Sequence, residues 1–395
     1  MISTKNFLII LITCFFIFVT VKFYSFYIEH SEWQYSDWLI NYQGGFIRRG
    51  FIGEILFQLY RISSISLDII ILIFVITLYL FLSYFLFKSL KYLKDSNENI
   101  LIFLSPGFFL YPIMNSGVVG RKEILIFCLM GFFVFCNKYF KSKNLLIILV
   151  VSFFLLCLSH SGLLFYTPYM VFLYILIKLS RDEKIKFFEL FTIFGSILII
   201  FLLIILNHQT TTLNVIKICE SVSDFVTYNC KDSGQFFALS MSANDHVSFF
   251  RSGNYFYNSF FVYILSFFAV NFFLGIKIYY SRFKIKYLYL NKINPSLILF
   301  FLFFLTLPIY ILGIDWGRWI FISYSCMFFI YIFCLKSNLL LFYENVILKK
   351  ILAKKFIMIF ILFFYSFFWT FPFYDAKNFK LVLKKPFIQI IKKLN

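Results

Sequence analysis

The stretch Ile69–Phe87, IIILIFVITLYLFLSYFLF, runs for 19 residues without a single charge. An apolar run of about 18 residues or more is long enough to cross the hydrocarbon core of a bilayer as a helix. The rest of the chain has the same character: 62% of its residues are hydrophobic and 14% charged, with a mean hydropathy of +0.87. A soluble domain carries about 25% charged residues, so a soluble globule is excluded. The predicted fold is an all-α polytopic membrane protein.

Eleven spans are predicted, near 7–28, 66–87, 100–114, 124–136, 145–158, 163–178, 187–206, 255–276, 296–312, 319–335 and 356–373. Together they make one membrane domain, 1–373, followed by a basic amphipathic tail, 374–395. Several spans fall short of the roughly 20 residues that an upright helix needs. Those between 100 and 178 are therefore expected to tilt, break or re-enter. The first span is read as an uncleaved helix, because FYSFYIEHSEW follows it rather than a small-residue cleavage site.

The net charge of +19 raises the question of nucleic acid, but basic stripes for that purpose need a soluble surface. Topology explains the charge better. With the N-terminus cytoplasmic, the inner segments hold 21 Lys and Arg and the outer loops 9, the asymmetry of the positive-inside rule. The chain is thus expected to be a multi-pass protein with a cytoplasmic N-terminus. Twelve of the 18 acids and all four histidines fall in or beside outer segments, so polar chemistry gathers on the extracytoplasmic face. Only one outer loop, 207–254, is long.

Four polar islands stand out there: SDWLINYQGGFIRRGFIGE (36–54), NSGVVGRKE (115–123), SHSG (159–162) and GIDWGRW (313–319). Three of them set glycine beside arginine. Glycine lets backbone approach a ligand closely, and arginine presents a planar, permanently charged fork suited to phosphate. Arg48, Arg49, Arg121 and Arg318 converging from separate loops suggest an anionic partner at headgroup level, such as a lipid-linked diphosphate. The alternative is that each arginine reaches to headgroups or neutralises Asp37, Glu54, Glu123 or Asp315. For Arg318, a local pair with Asp315 is the rival.

Asp37 is placed to deprotonate a sugar hydroxyl as a general base; its alternative is to cap a short helix over WLINY. His160 is a candidate base or a donor to diphosphate, or a structural residue of a tight turn. Cys219 and Cys230 both lie in the long loop, and an oxidising compartment permits a disulfide between them. The other six cysteines read as small apolar fillers. The sequence contains no Cys-x-x-Cys pair, HExxH, GxxxxGK[ST], GxGxxG or Gly-x-Ser-x-Gly. No metal and no cofactor are therefore expected.

The run DWLINYQGGFIRRGFIGE (37–54), the islands GRKE and DWGRW, and the span layout with one large loop resemble bacterial O-antigen and capsule repeat-unit polymerases of the Wzy class. Beyond these, the chain resembles the GT-C-like multi-span glycosyltransferases, in which an acid of the first outer loop serves as base; Asp37 matches that position. The resemblance implies a polymerase joining undecaprenyl diphosphate-linked glycans on the extracytoplasmic face of a bacterial inner membrane, alongside membrane lipids, a flippase and a chain-length regulator, without nucleic acid. It implies Asp37, Arg48, Arg49 and His160 in catalysis, and Asn41, Gly44, Gly45, Arg121, Lys122, Asp315 and Arg318 in substrate binding. The chain departs from many such polymerases in having one long loop rather than two. Two other functions fit the layout: transfer of one sugar from a polyprenyl phosphate, and transport of lipid-linked glycans.

Overall fold

The computed structural model describes residues 4–93, 96–206, 210–230, 233–241, 245, 248, 255–284, 291–313, 315–343, 345–373 and 380–381. Nearly all of the expected tail, and His208 and His246, lie outside them. The chain is an all-α polytopic membrane protein. Its strands, among the described residues, are two short antiparallel pairs, Ser281–Phe283 with Leu340–Phe342 and Trp369–Thr370 with Lys380–Leu381.

Among the described residues, eight helices are long and apolar enough to cross a bilayer: Thr4–Ile28, Leu67–Leu90, Ser142–Ser159, Ser161–Ser180, Phe187–Leu206, Phe260–Tyr279, Pro295–Leu312 and Trp316–Lys336. Two of the eleven expected segments form shorter apolar helices, Ile124–Cys136 and Lys355–Ser366. The remaining one, 100–114, is broken. Its helix Asn97–Phe103 stops ahead of Ser105-Pro106-Gly107, and helix Tyr111–Met114 follows. Backbone outside a helix survives at membrane depth only when protein surrounds it, and residues 101–112 are all buried. Within the break, the Ser105 hydroxyl donates to the Val270 carbonyl at 2.9 Å and accepts from the Gly107 amide at 3.3 Å.

The chain divides into two compact units. One comprises residues 12–88 and 118–248, the other 1–11, 89–117 and 249–395. The second is built on Trp316–Lys336, buried on every side from Trp316 to Cys334, as expected of a helix that is apolar all round. In the first unit, Phe187–Leu206 turns Phe188, Phe191, Phe194 and Leu198 outward, each more than half exposed. Such a face suits a lipid environment, as expected of a helix long and apolar enough to span a bilayer.

In the first unit the described residues of the long loop include two helices. Helix Thr212–Ser221 is capped by the Thr211 hydroxyl, which accepts from the Asn214 amide. It buries Val215, Ile218 and Cys219 on one face, and a disulfide joins Cys219 to Cys230. Helix Gly234–Ser240 follows. The segment is laced to the loop after the first span by several bonds. The Asn41 amide donates to Ser221 Oγ at 3.0 Å, the Tyr228 hydroxyl to Ser36 Oγ at 2.6 Å, and the Gln235 amide to the Glu32 carbonyl at 3.0 Å. His30 Nδ1 bonds the Phe225 carbonyl at 2.9 Å.

Candidate active site

Asp37 sits in a single 3₁₀ turn, Ser36–Leu39, whose end makes no side-chain cap. The capping alternative for Asp37 is therefore not what the structure contains. The carboxylate is 1% exposed, and its charged neighbour is Lys122, with Nζ 3.6 Å from Oδ1. At that distance the contact is an ion pair rather than a hydrogen bond, and Oδ1 receives no hydrogen bond. Buried polar oxygens are ordinarily satisfied. A carboxylate left short of donors keeps a lone pair for a proton.

Lys122 is fully buried. Its ammonium donates to the Arg49 carbonyl at 3.0 Å and lies 6.0 Å from the centre of the Trp38 ring. Burial holds its pKa below the ordinary lysine value. Arg49 pushes the same way, while Asp37 and Glu123 oppose it. The Trp38 indole donates to the Gly120 carbonyl at 2.6 Å, and the Gly120 amide donates to the Tyr79 hydroxyl at 2.8 Å. Gly120 has φ +75°, and a Cβ there would overlap the Phe23 ring. Only glycine suits this position, which fixes the direction of Arg121, Lys122 and Glu123.

Glu123 meets His160, with Oε1 3.5 Å from Nε2 and both residues buried. Consecutive residues thus serve two acid–base couples, Lys122 with Asp37 and Glu123 with His160. Arg121 lies over the Trp33 ring, its Cζ 5.8 Å from the ring centre.

The two adjacent arginines differ. Arg49 Nη1 donates to Gln235 Oε1 at 3.3 Å. Arg48 Nε is buried with no hydrogen-bond partner, and among the described residues Arg48 forms no ion pair. Burial, with Arg49 alongside, lowers its pKa to about 10. Glu54, a partner considered for the arginines, is occupied otherwise: it accepts from the Tyr42 amide at 2.8 Å and from Gln58 Nε2 at 2.5 Å.

Other expected site residues have structural work. Asn41 accepts from the Gln43 amide at 3.0 Å besides bonding Ser221. Gly44 lies beneath the Asn214 carbonyl, where an added Cβ would collide. Gly45 turns the chain with φ +105°. Asp315 and Arg318 belong to the other unit, where they pair at 3.1 Å, the local arrangement weighed from sequence, and Arg318 covers the Trp319 ring at 4.6 Å.

The site therefore gathers Asp37, Arg48, Arg49, Arg121, Lys122 and His160, and adds Glu123, Trp38, Tyr79 and Gln235, which sequence reasoning did not select. Four cations face two carboxylates, an excess of positive charge suited to an anion. No protein-family model, no characterised protein and no solved structure matches the chain.

Proposed function

We propose that this membrane protein is a polymerase of surface polysaccharide, O-antigen or capsule, joining glycan repeat units carried on undecaprenyl diphosphate. In this reading it resides in a bacterial inner membrane, with its N-terminus cytoplasmic and the Asp37 cluster on the outer face. The observation that carries the reading is Arg48, a guanidinium buried at Nε, beside a second arginine and, among the described residues, in no ion pair with an acid. A cation held in that way is stabilised when an anion arrives.

The chemistry follows from the neighbours. Asp37 accepts the proton of a sugar hydroxyl on the incoming unit. The hydroxyl oxygen then bonds to the anomeric carbon of the growing glycan, whose bond to the lipid diphosphate breaks. The diphosphate leaves with the electron pair, and Arg48 offsets its charge as it develops. Lys122, 3.6 Å from Oδ1, holds the Asp37 carboxylate in place by charge attraction without donating a hydrogen bond to that proton-accepting oxygen.

The test is to delete the gene and resolve the surface polysaccharide on a gel. A polymerase leaves a single repeat unit without a ladder. A truncated repeat would mean transfer of one sugar instead, and loss of all surface glycan would mean transport. Either of the latter two outcomes sinks the proposal.

A further inference from the structure

The second unit contains a cavity of about 560 Å³ that the Asp37 chemistry does not involve. Its walls come from the turn before helix Asn97–Phe103, the ends of helices Tyr255–Tyr279 and Trp316–Lys336, strand Leu340–Phe342 and helix Val346–Ala353. Pockets of roughly 300–1,000 Å³ hold small ligands.

Its lining is divided. Cys334, Leu340 and Leu352 are buried and apolar, whereas Asn338, Tyr343 and Lys349 at the rim are exposed. Lys277 lies on the wall, paired with Glu98 at 2.5 Å and 5.4 Å from the centre of the Phe342 ring. Arg282 sits over the Tyr343 ring at 5.8 Å. Among the described residues, two cations, Lys277 and Lys349, thus line the cavity with one acid, Glu98, and Arg282 joins them at the rim through its contact with Tyr343. The segments that carry them are the lysine-rich ends 277–294 and 336–355. An apolar floor beneath a basic, tyrosine-lined rim matches a ligand that is anionic at one end and apolar at the other. A wholly polar metabolite would leave the floor unmatched. Basic pockets between membrane helices on the lysine-rich side are the places where acidic lipid headgroups lodge.

We infer that this cavity binds the phosphate-bearing headgroup of an acidic phospholipid. Lys349 and Arg282 meet the phosphate, the tyrosine hydroxyls of the rim bond its oxygens, and the glycerol and first methylenes lie against Leu340 and Leu352. Lys277 remains with Glu98 and fixes the wall. The same phosphate chemistry is shared by soluble phosphate, so the two sources are separated by experiment.

The full chain in detergent is titrated with phosphatidylglycerol, with phosphatidylcholine and with inorganic phosphate, and thermal unfolding is followed. Phosphatidylglycerol is expected to raise the unfolding temperature by several degrees and phosphatidylcholine not to. In Lys349→Gln and Arg282→Gln, both rim variants with intact Lys277, half-maximal protection should need at least threefold more phosphatidylglycerol. Equal protection by inorganic phosphate, lost in both variants, would overturn the lipid and assign the cavity to a soluble phosphate ligand. Equal protection by both lipids, or protection indifferent to both substitutions, would overturn the site.

Discussion

Lys122 stands between Asp37, 3.6 Å from its ammonium, and the Arg49 carbonyl oxygen, 3.0 Å away. One buried cation therefore ties the carboxylate of the first island to the arginine segment that follows it. The consequence is a charge the protein holds at a cost, because burial works against protonation of Lys122.

That cost depends on pH. The unfolded chain keeps the lysine proton up to about pH 10.4, whereas the folded chain releases it sooner. In the window below that value the unfolded state binds more protons, so stability rises with pH through it. The penalty is fully present at lower pH and fades on going up. We expect the wild type to gain stability relative to Lys122→Met as pH is raised toward the ordinary lysine value, in thermal unfolding at matched detergent. Parallel curves for the two proteins would contradict this.

Asp37→Asn keeps the shape and removes proton acceptance. Lys122 is left without its counter-charge, but a lysine already inclined to deprotonate becomes neutral at modest cost, so the variant should still insert and accumulate. We expect polymer formation to fall by roughly 100-fold or more. An Asn variant that retains most activity would leave Asp37 a packing residue.

Arg48 and Arg49 should separate cleanly. Lysine at position 48 preserves charge but loses the planar fork, and activity should drop about tenfold or more. Arg48→Gln removes a half-buried cation that forms no ion pair among the described residues, and is expected to raise stability by about 1 kcal/mol while abolishing activity. Arg49→Lys, whose native side chain meets Gln235, should be milder in activity and neutral or unfavourable in stability. Activity and unfolding temperature of the three variants are the measurements; loss of stability in Arg48→Gln would show that its charge is neutralised in the folded protein.

The fit of the two loops predicts a contrast between glycines. A methyl at Gly44 meets the Asn214 carbonyl, while one at Gly195 meets nothing within 4 Å. Gly44→Ala should destabilise by roughly 2 kcal/mol and depress activity with it. Gly195→Ala, on a helix, should be neutral or slightly stabilising. Equal unfolding temperatures for the two would mean that the loops are not packed at Gly44.

The Cys219–Cys230 bond closes a short loop of sequence separation 11, for which chain entropy gives roughly 2.5–3 kcal/mol. Such a bond persists in an oxidising compartment. Cys219→Ser should lower the unfolding temperature and make the protein insensitive to reductant. In intact cells, a membrane-impermeant maleimide should label the pair only after reduction. Labelling without reduction would show the thiols free.

Helices and charge asymmetry were readable because both are local: a run such as Ile69–Phe87 has one stable state in lipid. The breaks were readable in part. Ser105-Pro106-Gly107 sits in the middle of the expected span 100–114, and proline with glycine stops a helix. The loop 207–254 was legible in its length, with no helix expected within it, although Val215, Ile218, Cys219 and Val222 recur at helical spacing and are all buried. The signal was present, and polar neighbours such as Lys217 and Glu220 masked it. The pairings of the site were not legible. Asp37 and Lys122 are 85 residues apart in sequence (122 − 37), and nothing in either stretch names the other. Glu123 reads as a counter-charge for Arg121, and only the fold brings it to His160. Arg48 and Arg49 are alike in sequence, and only the fold brings Gln235 within reach of Arg49.

Asn41 bonds Ser221 across 180 residues and Ser36 bonds Tyr228 across 192. A ribosome adding about 5–20 residues per second delivers the second member of these pairs roughly 10–40 seconds after the first. Through that interval the stretch with Asp37 and the two arginines is made, inserted and still lacks its cover. Translation stopped between Leu206 and Ser221 therefore yields a membrane-embedded fragment that has the helices up to Phe187–Leu206 but lacks the partners of Ser36 and Asn41. The bonds between the Asp37 stretch and the long loop form only after the helices that separate them in sequence have been made.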